Sequence, residues 1–125
     1  MKAPPFTYLE PISVEEAVTN IAEMTGQEAR ILAGGQTLIP AMAMRLARPS
    51  HLIDINRIKS LERLQVDGAA LHIGACVRHA AFHDAATSGP LGSLLSTVVR
   101  HIAHLPIRNR GTLCGSLANA DAASE

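Results

Sequence analysis

Residues 31–40, ILAGGQTLIP, place two adjacent glycines between an apolar run and a segment with the character of a helix. A strand-to-helix turn needs only one glycine, so the second indicates that a large group approaches the backbone closely. Backbone N–H groups between a parallel strand and a following helix favour an anion, usually phosphate. Gln36 and Thr37 add neutral donors. The alternative is a tight turn without a ligand, since short motifs often match by chance.

A second stretch, GTLCGSLANADAASE at residues 111–125, is also rich in glycine and small residues that leave room for a ligand. Thr112 and Ser116 contribute hydroxyls, and carboxylates follow near the end of the stretch. A Gly/Ala-rich loop covering a core is the alternative. Neither stretch is basic, so together they predict a diphosphate held by backbone amides, with the carboxylates bonding sugar or ribityl hydroxyls.

The N-terminal half alternates predicted strands with predicted helices. Strands are expected in FTYLEP, in ARILAGG as a buried strand, and in HLIDI. A helix should begin after Ser13, with Glu16 completing a capping box, and a second helix should follow Thr37, with Pro40 in its first turn. This alternation predicts a small parallel βαβ sheet. The buried face of the first helix should comprise Val14, Ala17, Val18, Ile21 and Ala22.

The character of the sequence changes near residues 55–60. LERLQVDGAALHIGA alternates apolar and polar residues around Asp67–Gly68, which predicts an antiparallel hairpin. A short helix is expected over residues 78–86, and a longer one over 91–103 that Pro106 ends. We therefore expect an α/β fold, α+β overall, with subdomains at 1–57 and 58–125. The longer helix should bury Leu91, Leu94, Leu95, Val98 and Ile102.

Composition excludes several classes of protein. Eleven basic residues balance eleven acidic ones, and aromatic residues are scarce, which argues against a nucleic-acid-binding surface. No run of 18 apolar residues is present, so no membrane span is expected. The start of the chain lacks the apolar stretch of a signal peptide, and Cys76 and Cys114 are far apart. These features predict a cytoplasmic protein.

Two histidine pairs have spacings that could serve a metal ion, His79 with His83 and His101 with His104. No third ligand is evident, so solvated or capping histidines are the better interpretation and no metal site is predicted. Arg108 and Arg110 could bind phosphate, but solvated positions in a mobile loop over residues 107–112 are the better interpretation.

Several stretches carry a resemblance to a known family when they are taken together. AGGQTLIPAMAMRLARPSHLIDI and IRNRGTLCGSLANADAASE, with the opening FTYLEPISVEEAV and the middle LHIGACVRHAAF, resemble the FAD-binding subunit of the molybdenum hydroxylases. That family includes the medium subunit of aerobic carbon monoxide dehydrogenase and the flavin domain of xanthine dehydrogenase. The resemblance covers nearly the whole chain. It implies a FAD-binding domain of the p-cresol methylhydroxylase type.

The resemblance also implies which residues bind the cofactor, and it implies no catalytic residue. The FAD diphosphate would be held by Ala33, Gly34, Gly35, Gln36 and Thr37, with Leu32 and Leu38 beside them. A second FAD loop would comprise Thr112, Leu113, Cys114, Gly115 and Ser116, with Ile102 near the flavin and Glu125 bonding the cofactor.

The function implied by the resemblance is electron transfer in an oxidoreductase complex. FAD would receive electrons from iron–sulfur clusters on one partner subunit, fed by a molybdenum cofactor on another, and pass them to a final acceptor. Members of the family continue well beyond residue 125, so the second subdomain is expected to be truncated and the chain alone inactive. The alternative is a cofactor-free fragment that self-associates as an assembly or interaction module.

Overall fold

A parallel sheet of three short strands organises the first of two units into which the chain divides near residue 60. The computed structural model describes residues 2–24 and 26–124. The units are Met1–Ser60 and Leu61–Glu125. Together they give the mixed α/β architecture that the sequence predicts. The assignment of both units as FAD-binding subdomains stays a prediction.

The sheet of the first unit has the strand order β1-β3-β2, and both pairings are parallel. Its strands are β1 (Thr7–Leu9), β2 (Ala29–Leu32) and β3 (His51–Asp54). The central strand β3 carries the core of the unit, because Leu52 and Ile53 are buried between its neighbours. The expectation that β2 is buried was wrong: it lies at the sheet edge, and Ile31 is 51% exposed.

Helix α1 (Val14–Glu23) is capped much as the sequence predicts. The hydroxyl of Ser13 accepts a hydrogen bond from the Glu16 N–H at 3.1 Å. The Glu16 carboxylate accepts in return from the N–H of Ile12 at 2.8 Å, one residue before the position that a capping box uses. The first of these bonds satisfies an N–H group that the helix itself leaves free, and the second ties the preceding residue to the first turn.

The predicted buried face of α1 was largely wrong, because only Ala17 is buried. Val18 is 58% exposed, and Val14 and Ile21 are also exposed. Each strand is only three or four residues long, so the sheet offers little surface to a ten-residue helix. The periodicity identifies the helix correctly, but not how much of it this unit covers.

Helix α2 (Leu38–Ala43) follows directly after the first glycine loop, residues 33–37. Thr37 occupies its N-cap position, as predicted, but the threonine side chain makes no capping hydrogen bond. Pro40 lies in the first turn, where a proline removes no helical hydrogen bond. Met42 anchors the helix, since its side chain is buried.

The second unit begins with the predicted hairpin. Strands β4 (Leu64–Asp67) and β5 (Ala70–Ile73) pair antiparallel, and Asp67 lies opposite Ala70. The two residues between the strands include Gly68, whose φ of +57° suits the tight turn. In the segment 78–86, where a short helix was predicted, the chain forms one 3₁₀ turn, His79–Phe82.

Helix α3 (Gly89–Val98) and the 3₁₀ turn Val99–His101 account for most of the predicted longer helix. Its buried stripe differs from the predicted one, since Leu91 and Leu94 are exposed and Gly92 is buried. Only glycine fits at position 92, because a Cβ there would overlap the carbonyl oxygen of Thr87. The core of this unit is formed by Val77, Phe82 and Val99, with Leu64, Ile73, Ala86, Leu95, Ile102 and Leu113 packed against it.

Pro106 does not end the preceding helix, contrary to prediction. The chain has already turned at Ala103, whose φ is +40°, and Pro106 lies in the first turn of helix α4 (Leu105–Arg108). Arg108 is not a solvated loop residue either, because its guanidinium donates to the carbonyls of Ile102 and Ala103 at 2.7 and 3.0 Å. Among the described residues, no helix is long and apolar enough to cross a membrane.

Candidate cofactor-binding site

The first glycine loop, residues 33–37, leaves the carboxyl end of β2 and leads into α2. Gly35 has a φ of +70°, a backbone conformation that residues other than glycine rarely adopt. A Cβ atom there would lie 3.0 Å from Leu32 Cδ1 and 3.1 Å from Ile39 Cγ1. The protein's own turn and packing therefore require Gly35, and its presence needs no ligand as an explanation.

The loop nevertheless offers a set of hydrogen-bond donors. Within the described part of the chain, the N–H groups of residues 34–38 donate to no acceptor, and the first bonded one is Ile39 N–H, which donates to the Gly35 carbonyl at 3.0 Å. Helix α2 has only six residues, so its dipole is small and the loop amides themselves are the main attraction for an anion. Backbone amides clustered in this way suit phosphate oxygens.

Two side-chain amides bind carbonyl groups of this loop. The Nε2 atom of Gln36 donates to the Gly34 carbonyl at 2.9 Å. The Nδ2 atom of Asn56 donates to the Ala33 carbonyl at 2.8 Å. Gln36 was predicted as a donor to the ligand, whereas in the structure its amide binds the loop itself. Thr37 is exposed, and its hydroxyl makes no capping bond.

Asp54 connects this loop to the first strand, and the sequence reasoning missed it. The residue is 8% exposed and lies at the carboxyl end of β3. One oxygen, Oδ1, accepts from the Asn56 N–H at 2.8 Å and from Asn56 Nδ2 at 2.5 Å. The other, Oδ2, accepts from the Tyr8 hydroxyl. The sequence does contain a signal for Asp54, the stretch IDIN at residues 53–56. It places polar residues at the end of a central parallel strand, where ligand sites commonly lie.

Tyr8 stays protonated in this arrangement. The hydrogen bond to Asp54 is the largest cause that raises the pKa of the Tyr8 phenol far above its usual value, and desolvation and the charges of Asp54 and Glu10 act in the same direction. The phenol therefore remains a donor to the carboxylate at all physiological pH values.

The second predicted loop is in fact the start of a helix, α5 (Leu113–Asn119). Thr112 is its buried N-cap, and the threonine hydroxyl accepts from the Gly115 N–H at 3.0 Å. The N–H groups of Leu113 and Ser116 donate to carbonyls of Val77 and Thr112. This segment therefore has fewer uncommitted backbone donors than the first loop.

His79 lies under this segment and is buried, whereas a solvated or capping histidine was expected. The backbone N–H of His79 donates to the Gly111 carbonyl at 2.9 Å, and the Nε2 atom of its ring lies 3.2 Å from the Ser116 hydroxyl. A Cβ on Gly111 would lie 3.0 Å from the His79 ring, so the imidazole explains that glycine. The residues that the structure describes contain no group of three or more side chains suited to a metal ion.

The remaining predicted site residues are distributed over both units. Leu32 and Leu38 are half-buried on either side of the first loop. Cys114 is half-buried, with its sulfur 3.7 Å from the carbonyls of Ile73 and Gly74. Ile102 packs against the core of the second unit. Glu125 lies outside the described residues.

Comparison with known proteins supplies the family. Residues 4–125 match the family model described as the FAD binding domain in molybdopterin dehydrogenase. The alpha subunit of the 6-hydroxypseudooxynicotine dehydrogenase complex of Paenarthrobacter nicotinovorans is 45% identical over 125 residues, which are all of this chain and 42% of that protein. The carbon monoxide dehydrogenase medium chain of Hydrogenophaga pseudoflava is 39% identical over 95% of this chain and 41% of its own length.

A solved structure gives the same result for the fold. Quinoline 2-oxidoreductase from Pseudomonas putida 86 superposes with a TM-score of 0.87 and 41% identity, over all of this chain and 43% of the other. The chain thus spans less than half the length of the relatives that it matches. These relatives are oxidoreductases or their subunits. Since the family model matches nearly every residue, the chain belongs to the family of FAD-binding domains of molybdopterin dehydrogenases.

Proposed function

We propose that this chain forms the FAD-binding part of an electron-transfer subunit in a molybdenum-containing hydroxylase or dehydrogenase. FAD, when bound, supplies the redox chemistry, and the chain's own residues bind and orient it. In this proposal electrons reach FAD from iron–sulfur clusters on a partner subunit, and a molybdenum cofactor on another subunit feeds those clusters. The observation that carries the proposal is the set of uncommitted N–H groups at residues 34–38, in a chain of this family.

The first loop fits a diphosphate group. Its amides are donors without a partner among the described residues, and neither lysine nor arginine lies within residues 31–40 to bind phosphate instead. We assign the diphosphate to Ala33–Thr37, with Leu32 and Leu38 beside it. The resemblance adds Thr112–Ser116, Ile102 and Glu125 as further residues that contact FAD. None of these needs to act as an acid or a base.

The names of the relatives support action within a complex. One relative is a complex subunit alpha, and another is a medium chain. We therefore propose partner subunits that carry the molybdenum cofactor and the iron–sulfur clusters.

The two cysteines far apart in the sequence, without a CxxC pair, favour a reducing compartment, and we propose the cytoplasm.

FAD should bind the purified chain at least about tenfold more tightly than FMN, because FMN offers one phosphate to a loop that has donors for two. Each flavin is titrated separately and its fluorescence quenching gives the dissociation constant. Apo-chain thermal unfolding with and without each flavin is an independent check, since a ligand that binds the folded state raises the melting temperature. Equal affinity for the two flavins would contradict the diphosphate assignment.

A second candidate function is an assembly module that self-associates, and the exposed apolar side chains favour it. Leu91 and Leu94 on α3 and Val18 on α1 are each more than two-fifths exposed. We expect a dimer or higher oligomer at low micromolar concentration, with residues 60–125 supplying most of the contact. Light scattering coupled to size-exclusion chromatography measures this, with Leu94→Lys as the variant that should shift the chain toward monomer. A monomer with a cooperative thermal transition would rule it out.

A further inference from the structure

The two peptide groups at the start of the first glycine loop are each fixed by a side-chain amide. Asn56 Nδ2 donates to the Ala33 carbonyl at 2.8 Å, and Gln36 Nε2 donates to the Gly34 carbonyl at 2.9 Å. In a trans peptide the C=O and the following N–H point in opposite directions, and the described part of the chain contains no cis peptide. Holding these two carbonyls therefore sets the directions of the Gly34 and Gly35 N–H groups.

Asn56 is itself held by the carboxylate of the buried residue Asp54. Asp54 Oδ1 accepts from both the Nδ2 atom and the backbone N–H of Asn56, at 2.5 and 2.8 Å. The amide nitrogen thus faces two oxygen acceptors, Ala33 O and Asp54 Oδ1, which fixes it as the NH₂ end because only that end has two hydrogens to donate. The Tyr8 hydroxyl binds the other oxygen of Asp54.

Gln36 and Asn56 differ in what supports them. Gln36 belongs to the loop, so its bond to Gly34 is local and moves with the loop. Asn56 lies 23 residues after Ala33, just beyond the central strand, and its bond ties the loop to the end of that strand. Loss of the Asn56 bond should therefore free the Ala33–Gly34 peptide, because the Gln36 bond holds only the next peptide group.

We propose that Asn56 is a positioning residue for the FAD diphosphate, which it serves by holding the Ala33 carbonyl and so directing the Gly34 N–H toward the anion. This inference depends on the proposed function, because it assigns a supporting residue to the same loop. Donors that are already oriented need no ordering when the ligand binds, and that ordering would otherwise subtract from affinity. Asp54 supports the arrangement through Asn56 without donating to the ligand.

The test uses Asn56→Ala in the purified chain, with FAD and riboflavin as probes. The dissociation constant for FAD should rise about tenfold, the effect of losing one well-made hydrogen bond and the order it imposes. Riboflavin has no phosphate and should behave identically with both proteins. Asn20→Ala is the matched control: it makes the same substitution on α1, at a side chain that binds no carbonyl of the loop, so its FAD affinity should stay within about twofold of wild type.

Asn56→Ser provides a second variant in case the alanine variant folds poorly. The serine hydroxyl keeps a polar group near Asp54 but is too short to bridge Asp54 Oδ1 and the Ala33 carbonyl. It should show the same selective loss of FAD. Unchanged FAD affinity in a folded Asn56 variant would overturn this inference alone. An equal loss for FAD and riboflavin would also overturn it, as a general structural effect. If the wild-type chain binds no FAD, the proposed function fails together with it.

Discussion

Gly35→Val should lower the free energy of unfolding by about 3 kcal/mol and abolish FAD binding. Two effects combine at this position. A β-branched residue is strained at a φ of +70°, and its Cβ would lie 3.0 Å from Leu32 Cδ1 and 3.1 Å from Ile39 Cγ1. Both neighbours flank the loop, so their displacement moves the backbone donors as well. Urea unfolding followed by circular dichroism gives the stability, and flavin fluorescence gives the binding.

Gly26→Val is the matched control for this variant. Gly26 also has a positive φ, +86°, but a Cβ there would have nothing within 4 Å. It should show only the backbone cost, about 1–2 kcal/mol, and should keep FAD binding. From the sequence alone, a valine at Gly35 would be expected to block the ligand and leave the fold intact. A stable Gly35→Val variant that has lost FAD would restore that simpler interpretation.

Gly92→Ala should destabilise the second unit by at least about 3 kcal/mol, although alanine is normally better in a helix by about 1 kcal/mol. A Cβ at Gly92 would lie 1.8 Å from the carbonyl oxygen of Thr87. That atom belongs to the backbone, so no side-chain rotation can relieve the overlap and the start of α3 must shift. The core residue Val99 follows two turns later and would lose packing.

Ser93→Ala, at the next position of the same helix, separates this clash from helix propensity. Ser93 is exposed, and its substitution should change stability by no more than about 0.5 kcal/mol. Both variants are measured by urea unfolding under the same conditions. A Gly92→Ala variant as stable as the wild type would show that the approach of α3 to Thr87 is not required.

Local signals in the sequence located most of the elements. Ser13 and Glu16 mark the start of α1 because capping depends on residues three apart in the chain. Gly68 marks the hairpin for the same reason, since a two-residue turn depends only on its own backbone angles. Pro106 was misread because a proline suits the first turn of a helix as well as it stops one, and only the turn at Ala103 shows which applies.

Burial was less predictable than the elements. The apolar faces of α1 and α3 follow helical periodicity, yet Val18 and Leu94 are exposed. Periodicity states which residues share a face, whereas burial depends on the size and position of the surface that meets it. The burial of β2 could not be predicted either, because its apolar run suits an edge strand as well as a central one.

By itself, the sequence determined the family, the strand-to-helix glycine loop and the order of the elements, because these depend on local pattern and on motifs. The tertiary structure alone decided how the loop is held. Asn56 reaches Ala33 only because β3 lies beside β2, and Asp54 meets Tyr8 only because β1 lies on the other side of β3. These two hydrogen bonds join residues that are 23 and 46 positions apart in the chain. Such bonds leave no periodic pattern in the sequence, because the order of the strands in the sheet creates them.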